Sequence, residues 1–225
     1  MSRVLPILFN TDMVRAILNW RKTVTRRLVK HDIDAILNSP YHKEHPEVED
    51  KQIISKLCMP PYQPGDILYV RESVFQGVGH YLDVSGETVS VLTNDFEYYA
   101  DGLHEKDHWK DKHERTWMHR RPSIHMPKEA VRIWLKINDV RVERLQEITE
   151  EQAKAEGAKQ CYEQISTIEN RPVTYIAEDG NGYYILGFKN IWNSTIKKSD
   201  IDRYGWDANP YVWVIEFERC EKPEG

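Results

Sequence analysis

The chain has three cysteines, Cys58, Cys161 and Cys220, far apart and odd in number, and no C-x-x-C pair. A disulfide framework and a cysteine-based zinc site are both disfavoured by that arrangement. It lacks any apolar run approaching the roughly 20 residues that a membrane span needs. The opening Met1-Ser2-Arg3-Val4-Leu5-Pro6 has no apolar stretch of signal-peptide length. It also lacks an excess of positive charge: 31 Lys and Arg stand against 36 Asp and Glu, a formal net charge of -5. Bulk charge therefore does not draw the protein to nucleic acid, and any such contact must come from a local basic patch. No internal repeat is visible. These absences predict a cytoplasmic protein that uses neither disulfides nor a membrane.

At 225 residues, 40% hydrophobic and 30% charged, the chain has the composition of a globular protein. It is long enough to bury a core without cross-links. Seven Trp and 12 Tyr imply a well-filled core, a stacking surface, or both. Residues 4–9 read as a short strand, and 11–20 as an amphipathic helix opened by Asn10 and Thr11. Residues 31–63, with four prolines, look irregular. Pro64-Gly65-Asp66 is a turn leading into a strand over 67–72. Residues 76–127 turn polar and read as a long insertion with a hairpin around Thr88–Leu92. Apolar alternation returns at Val131, Ile133, Leu135 and Ile137. Thr149-Glu150-Glu151-Gln152 is a capping box for a helix over 150–156, stopped at Gly157. Helical spacing over 185–196 and a core strand over 212–217 complete the order. The pattern predicts a single α+β domain over 1–225: a small, mostly antiparallel sheet or partly closed barrel with helices packed outside.

The segment Arg21-Lys22-Thr23-Val24-Thr25-Arg26-Arg27 puts four cations and two hydroxyls into seven positions of an otherwise acidic chain. It follows a helix directly and is held by it. The neighbouring arginines and partial burial would push Lys22 below the ordinary lysine value of about 10.4. A lysine lowered in that way can take a proton from a threonine hydroxyl or a water. Strand alternation places Lys22 and Thr25 on opposite faces, so a bend or bulge must bring them together. Glu156 is the second unusual residue. It ends its helix, where the dipole disfavours a carboxylate by about 0.3–1 kcal/mol. A solvent-exposed glutamate that tolerates this cost is the competing account.

The basic segment resembles the signature loop of ASCH domains in the PUA-like superfamily, G-x-K-x-x-E/T-x-R. The branch with threonine in the acidic slot includes small bacterial N4-acetylcytidine amidohydrolases, which use a Lys, a Thr and a Glu. The resemblance implies those roles for Lys22 and Thr25. Through the helix start Thr149-Glu150-Glu151-Gln152-Ala153-Lys154-Ala155-Glu156, it implies the third for Glu156. It covers residues 5–29, 62–73, 131–157 and 210–219, and the length is that of the longer phage-associated ASCH proteins. It departs at Trp20, where the pattern has glycine.

The resemblance implies a small PUA-like barrel with flanking helices and the long insertion at about 76–127. It implies hydrolysis of N4-acylcytosine or N4-acylcytidine compounds without metal or cofactor. Arg27, the arginine of the pattern, and Glu72, at a strand end, are expected to hold the substrate, or else to form a salt bridge. Two mechanisms stay open. In one, neutral Lys22 activates Thr25 and protonated Glu156 feeds the leaving nitrogen. In the other, charged Lys22 stabilises the oxyanion and ionised Glu156 activates water. A non-catalytic RNA-binding PUA-like module is the alternative. His119-Arg120-Arg121 with Trp109 and Trp117 would be its basic-aromatic patch. His104-Glu105-Lys106-Asp107-His108 matches the zincin motif, but its flanks are too polar to pack a helix, so it reads as a loop.

Overall fold

The structure, a computed structural model, describes residues 2–102, 118–166 and 172–224. In chain order it has β1 (Val4–Leu8), α1 (Thr11–Leu18), β2 (Val24–Leu28), α2 (Ile33–Leu37), α3 (Pro40–Glu44) and α4 (Asp50–Leu57). Then come β3 (Ile67–Arg71), β4 (Val74–Leu82), β5 (Thr88–Tyr98), β6 (Met118–Arg121) and β7 (Trp134–Arg144). The chain closes with α5 (Glu150–Ala155), β8 (Cys161–Ile165), β9 (Pro172–Ile176), α6 (Tyr184–Thr195), α7 (Ile201–Tyr204) and β10 (Tyr211–Cys220). The fold is mixed α/β, and its sheets are not closed into a barrel. Among the described residues no helix is long and apolar enough to cross a membrane. All three cysteines are free.

The chain divides into two compact units, one from residues 1–19, 67–136 and 219–225 and the other from 20–66 and 137–218. In the first, β1 runs parallel to β3, from Val4 opposite Ile67 to Leu8 opposite Arg71. β3 pairs antiparallel with the start of β7. The expected alternation holds only in part: Ile133 and Leu135 are buried, but so is Trp134 between them, and Lys136 is exposed. The polar stretch after Glu72 is an antiparallel sheet in the order β5-β4-β6. His119, Arg120 and Arg121 form part of β6. Arg121 Nε donates to Gln76 Oε1 at 3.1 Å, and Arg120 lies 5.7 Å from the Tyr99 ring centre. Trp109, Trp117 and the His104–His108 motif lie outside the described residues.

Glu72 belongs to this unit. Its carboxylate is buried and takes two N–H groups of Arg132, at 2.8 and 3.0 Å. Arg132 also donates to Asp101 at 2.8 Å and stacks 3.7 Å from the Tyr98 ring centre. Both carboxylates hold its guanidinium firmly charged. Removing one partner of a buried pair strands the other charge, whereas an apolar pair of similar volume is tolerated. Arg132→Ala is therefore expected to lose about 3 kcal/mol in urea unfolding, and Glu72→Leu/Arg132→Leu to recover most of it. A double variant as unstable as the single one would contradict this assignment.

In the second unit the order is the rest of β7, then β10, then β2. β10 pairs antiparallel with β2 without a bulge, from Val212 opposite Leu28 to Glu216 opposite Val24. Tyr211 to Ile215 are buried without alternation, as a strand flanked and covered on both sides requires. Val24, Val212 and Val214 pack with Leu145, Ile148, Ala153, Phe188 and Trp192. Helices α5 and α6 cover that face. Glu150 caps α6, accepting from the Tyr184 and Ile185 N–H groups at 2.6 and 3.4 Å. Such a carboxylate suits the positive end of a helix. Gly187 lets α6 approach closely, because a Cβ there would lie 2.0 Å from the Lys159 carbonyl oxygen. Residues 31–63, expected to be irregular, hold three short helices. Pro40 stands at the first helical position behind the cap Ser39, where a proline starts a helix rather than breaking one.

Candidate functional site

The predicted segment leaves α1 through Trp20, which adopts φ 57°. That is the left-handed region, natural for glycine and costing an L-residue roughly 1–2 kcal/mol. Trp20 holds this conformation with its side chain 71% exposed. The chain then runs beside the end of α5. Thr23 N–H donates to the Ala155 carbonyl at 2.8 Å, and Lys22 forms a β-bridge with Glu156.

Lys22 is buried, and its ammonium donates to three oxygens: Val24 O at 2.9 Å, Glu156 O at 2.9 Å and Glu156 Oε2 at 2.7 Å. Three acceptors use all three ammonium protons, an arrangement made for the charged form. Burial pushes Lys22 below the ordinary lysine value. The Glu156 carboxylate pulls it back up, and the charges of Arg27 and Arg26 add to the depression.

Glu156 is 4% exposed, so the competing account of a surface glutamate fails. Its second oxygen accepts from Arg26 Nη1 at 3.2 Å. Two cations thus offset the unfavourable end of the helix dipole.

Arg26 is the residue that the sequence did not single out. It shares the core face of β2 with Val24 and Leu28, and its guanidinium lies 5.7 Å from the Phe188 ring centre. Arg26 Nη2 donates to Glu143 Oε2 at 3.1 Å and to Gln152 Oε1 at 2.9 Å. Its Nε is buried with no hydrogen-bond partner among the described residues. Gln152 serves twice, because the same oxygen closes the capping box by accepting from Thr149 N–H at 3.1 Å. Glu143 passes the network on to Arg141, which also binds Asp139 and Glu216. The signal for Arg26 was present: Val24, Arg26 and Leu28 alternate, so an inward face for the first and last implies one for Arg26.

Thr25 is 3% exposed and sits opposite Ile215. Strand alternation turns it to the face away from Val24 and Arg26. No bulge brings it back. Lys22 instead lies before the strand and folds its side chain along it. The carbonyl that its ammonium reaches, Val24 O, is on the peptide bond to Thr25, so the ammonium lies beside the Thr25 backbone.

Arg27 shares the Thr25 face. It is partly buried, and burial pushes its guanidinium below the usual value, with Tyr62 and Glu156 acting the other way. The structure joins Lys22 and Glu156 with Arg26, Glu143 and Gln152, and the Thr25 side chain is not among their hydrogen-bond partners. Glu72 is held by Arg132 in the first unit.

No family model matches the chain, and no curated protein or solved structure matches it either.

Proposed function

We propose that the chain is an ASCH-like, metal-independent amidohydrolase of the cytoplasm, which removes the acyl group from N4-acylcytosine or N4-acylcytidine compounds. One observation supports this above the others. Lys22 and Glu156 are 134 positions apart and meet at 2.7 Å in a buried site. They are two of the three residues that the ASCH resemblance assigns to catalysis. The open sheets support the α+β part of that resemblance, and the PUA-like barrel belongs to the proposal.

In this reading Lys22 serves as the cation and Glu156 as the base. The Thr25 hydroxyl, which faces away from Arg26, attacks the acyl carbonyl, and its proton reaches Glu156 through one water. The Lys22 ammonium, whose protons are held by Val24 and Glu156, stabilises the oxyanion through its charge. Collapse breaks the bond from the acyl carbon to N4. That nitrogen leaves with the proton from Glu156, aided by the electron-poor pyrimidine ring. Water then hydrolyses the acyl ester, returning the Thr25 hydroxyl and a carboxylic acid. Arg26 holds Glu156 in place, and Arg27 is the candidate for a ring carbonyl or ribose oxygen.

The test is N4-acetylcytidine hydrolysis by Thr25 variants, before and after chelation. Thr25→Ser should retain part of the rate, and Thr25→Val, nearly isosteric, should lose at least about 10²-fold. EDTA should leave the parent rate unchanged. A parent-like rate for Thr25→Val would transfer the attack to water. Loss of activity on chelation, restored by zinc, would refute the metal-free mechanism.

A further inference from the structure

The second unit holds a cavity of about 520 Å³ whose lining includes Trp20, Arg21, Lys154, Lys159, Ile176 and Tyr184. Neither Lys22 nor Glu156 is among its lining residues. We infer that it is a binding site for a nucleoside monophosphate, whose base stacks on Trp20 and whose phosphate meets the surrounding cations. This does not rest on the amidohydrolase reading.

Trp20 is the first ground. A bulky residue in the left-handed region strains the backbone, and the indole is 71% exposed. Strain of this kind points to function when it lies in a binding site. An exposed indole at a cavity wall is a surface on which any planar base can stack.

Charge is the second ground. Arg21, Lys154 and Lys159 face the cavity against one carboxylate, Glu151, in a chain whose net charge is -5. Two of the cations have fixed positions. Arg21 Nη1 donates to the Gly157 carbonyl at 3.2 Å, and the Lys154 ammonium lies 5.8 Å from the Tyr184 ring centre. Aromatic and cationic groups on one cavity suit a ligand that is planar at one end and anionic at the other. The volume falls in the usual range for small-molecule sites.

Calorimetric titration of the full chain with adenosine and cytidine monophosphate tests this. The matching nucleosides, inorganic phosphate and a ten-nucleotide single strand serve as further arms. Both monophosphates should bind, each nucleoside at least tenfold more weakly, and phosphate alone far more weakly still. Trp20→Gly should weaken monophosphate binding at least tenfold. Lys154 and Lys159 are exposed. Lys154→Ala/Lys159→Ala should erase the preference for monophosphate over nucleoside, and this variant decides the matter if Trp20→Gly does not fold. Several results would overturn the inference: no binding of either monophosphate at millimolar concentration, phosphate binding as tightly, or binding of the single strand alone. Full affinity in Trp20→Gly or in the double lysine variant would do so too.

Discussion

Glu156→Gln is expected to lower the melting temperature by about 10 °C and the turnover of N4-acetylcytidine by about 10²-fold or more. The reason is the company that Glu156 keeps. Its carboxylate lies at 2.7 Å from Lys22 and 3.2 Å from Arg26, all three nearly sealed from water. A neutral amide leaves two buried cations facing each other, and a broken buried pair costs about 3–5 kcal/mol. Catalysis fails separately, because glutamine cannot carry the proton from the nucleophile to the leaving nitrogen. Thermal denaturation by circular dichroism and product release measured below the variant's transition separate the two effects. A destabilised variant with full turnover would make the cluster a structural tie between β2 and α5 and nothing more. A surface glutamate would give neither effect.

Lys22→Met is expected to cost about 10²–10³-fold in turnover, the scale for losing an oxyanion donor. Methionine keeps the length of the stem and removes the charge. Lys22→Arg should keep measurable activity, because the role assigned to Lys22 is that of a cation. Were Lys22 instead a neutral base, arginine would be as poor as methionine, since it stays protonated. Stability against pH gives a second readout. Folding depresses the lysine below its ordinary value of 10.5, so the unfolded chain binds the proton more tightly. Between the depressed value and 10.5, the folded state therefore gains stability as pH rises. Lys22→Met should remove that part of the alkaline rise. An unchanged slope would mean that Lys22 is not depressed.

Much of this architecture is legible in the residues. The capping box at Thr149–Gln152 and the apolar run in β10 each have one physical reading, and the structure has the elements they predict; a strand also starts at Trp134, although burial of Trp134 breaks the alternation. The hairpin β8-β9 is not legible. Most of its residues are partly or fully exposed on both faces, so no buried face imposes a period of two on the sequence. β4 is obscured differently: its buried half, Val74 to Gly77, mixes a glutamine and a glycine with two apolar residues. In the site, Lys22 was visible as one cation among four. Its pairing with Glu156 came only from the resemblance, because nothing local links residues 134 positions apart. Arg26 shows what alternation could have added. The role of Glu143 needed the third dimension, since it depends on where β7 and β10 bring Arg141.

The most direct measurement is to mix the purified protein with N4-acetylcytidine and quantify cytidine and acetate by chromatography. The proposed activity predicts that the two products appear one for one over many turnovers, and that Glu156→Gln forms them at least about 10²-fold more slowly. If the parent protein forms neither product, or forms them no faster than Glu156→Gln, the cluster of Lys22, Thr25 and Glu156 is not an amidohydrolase site.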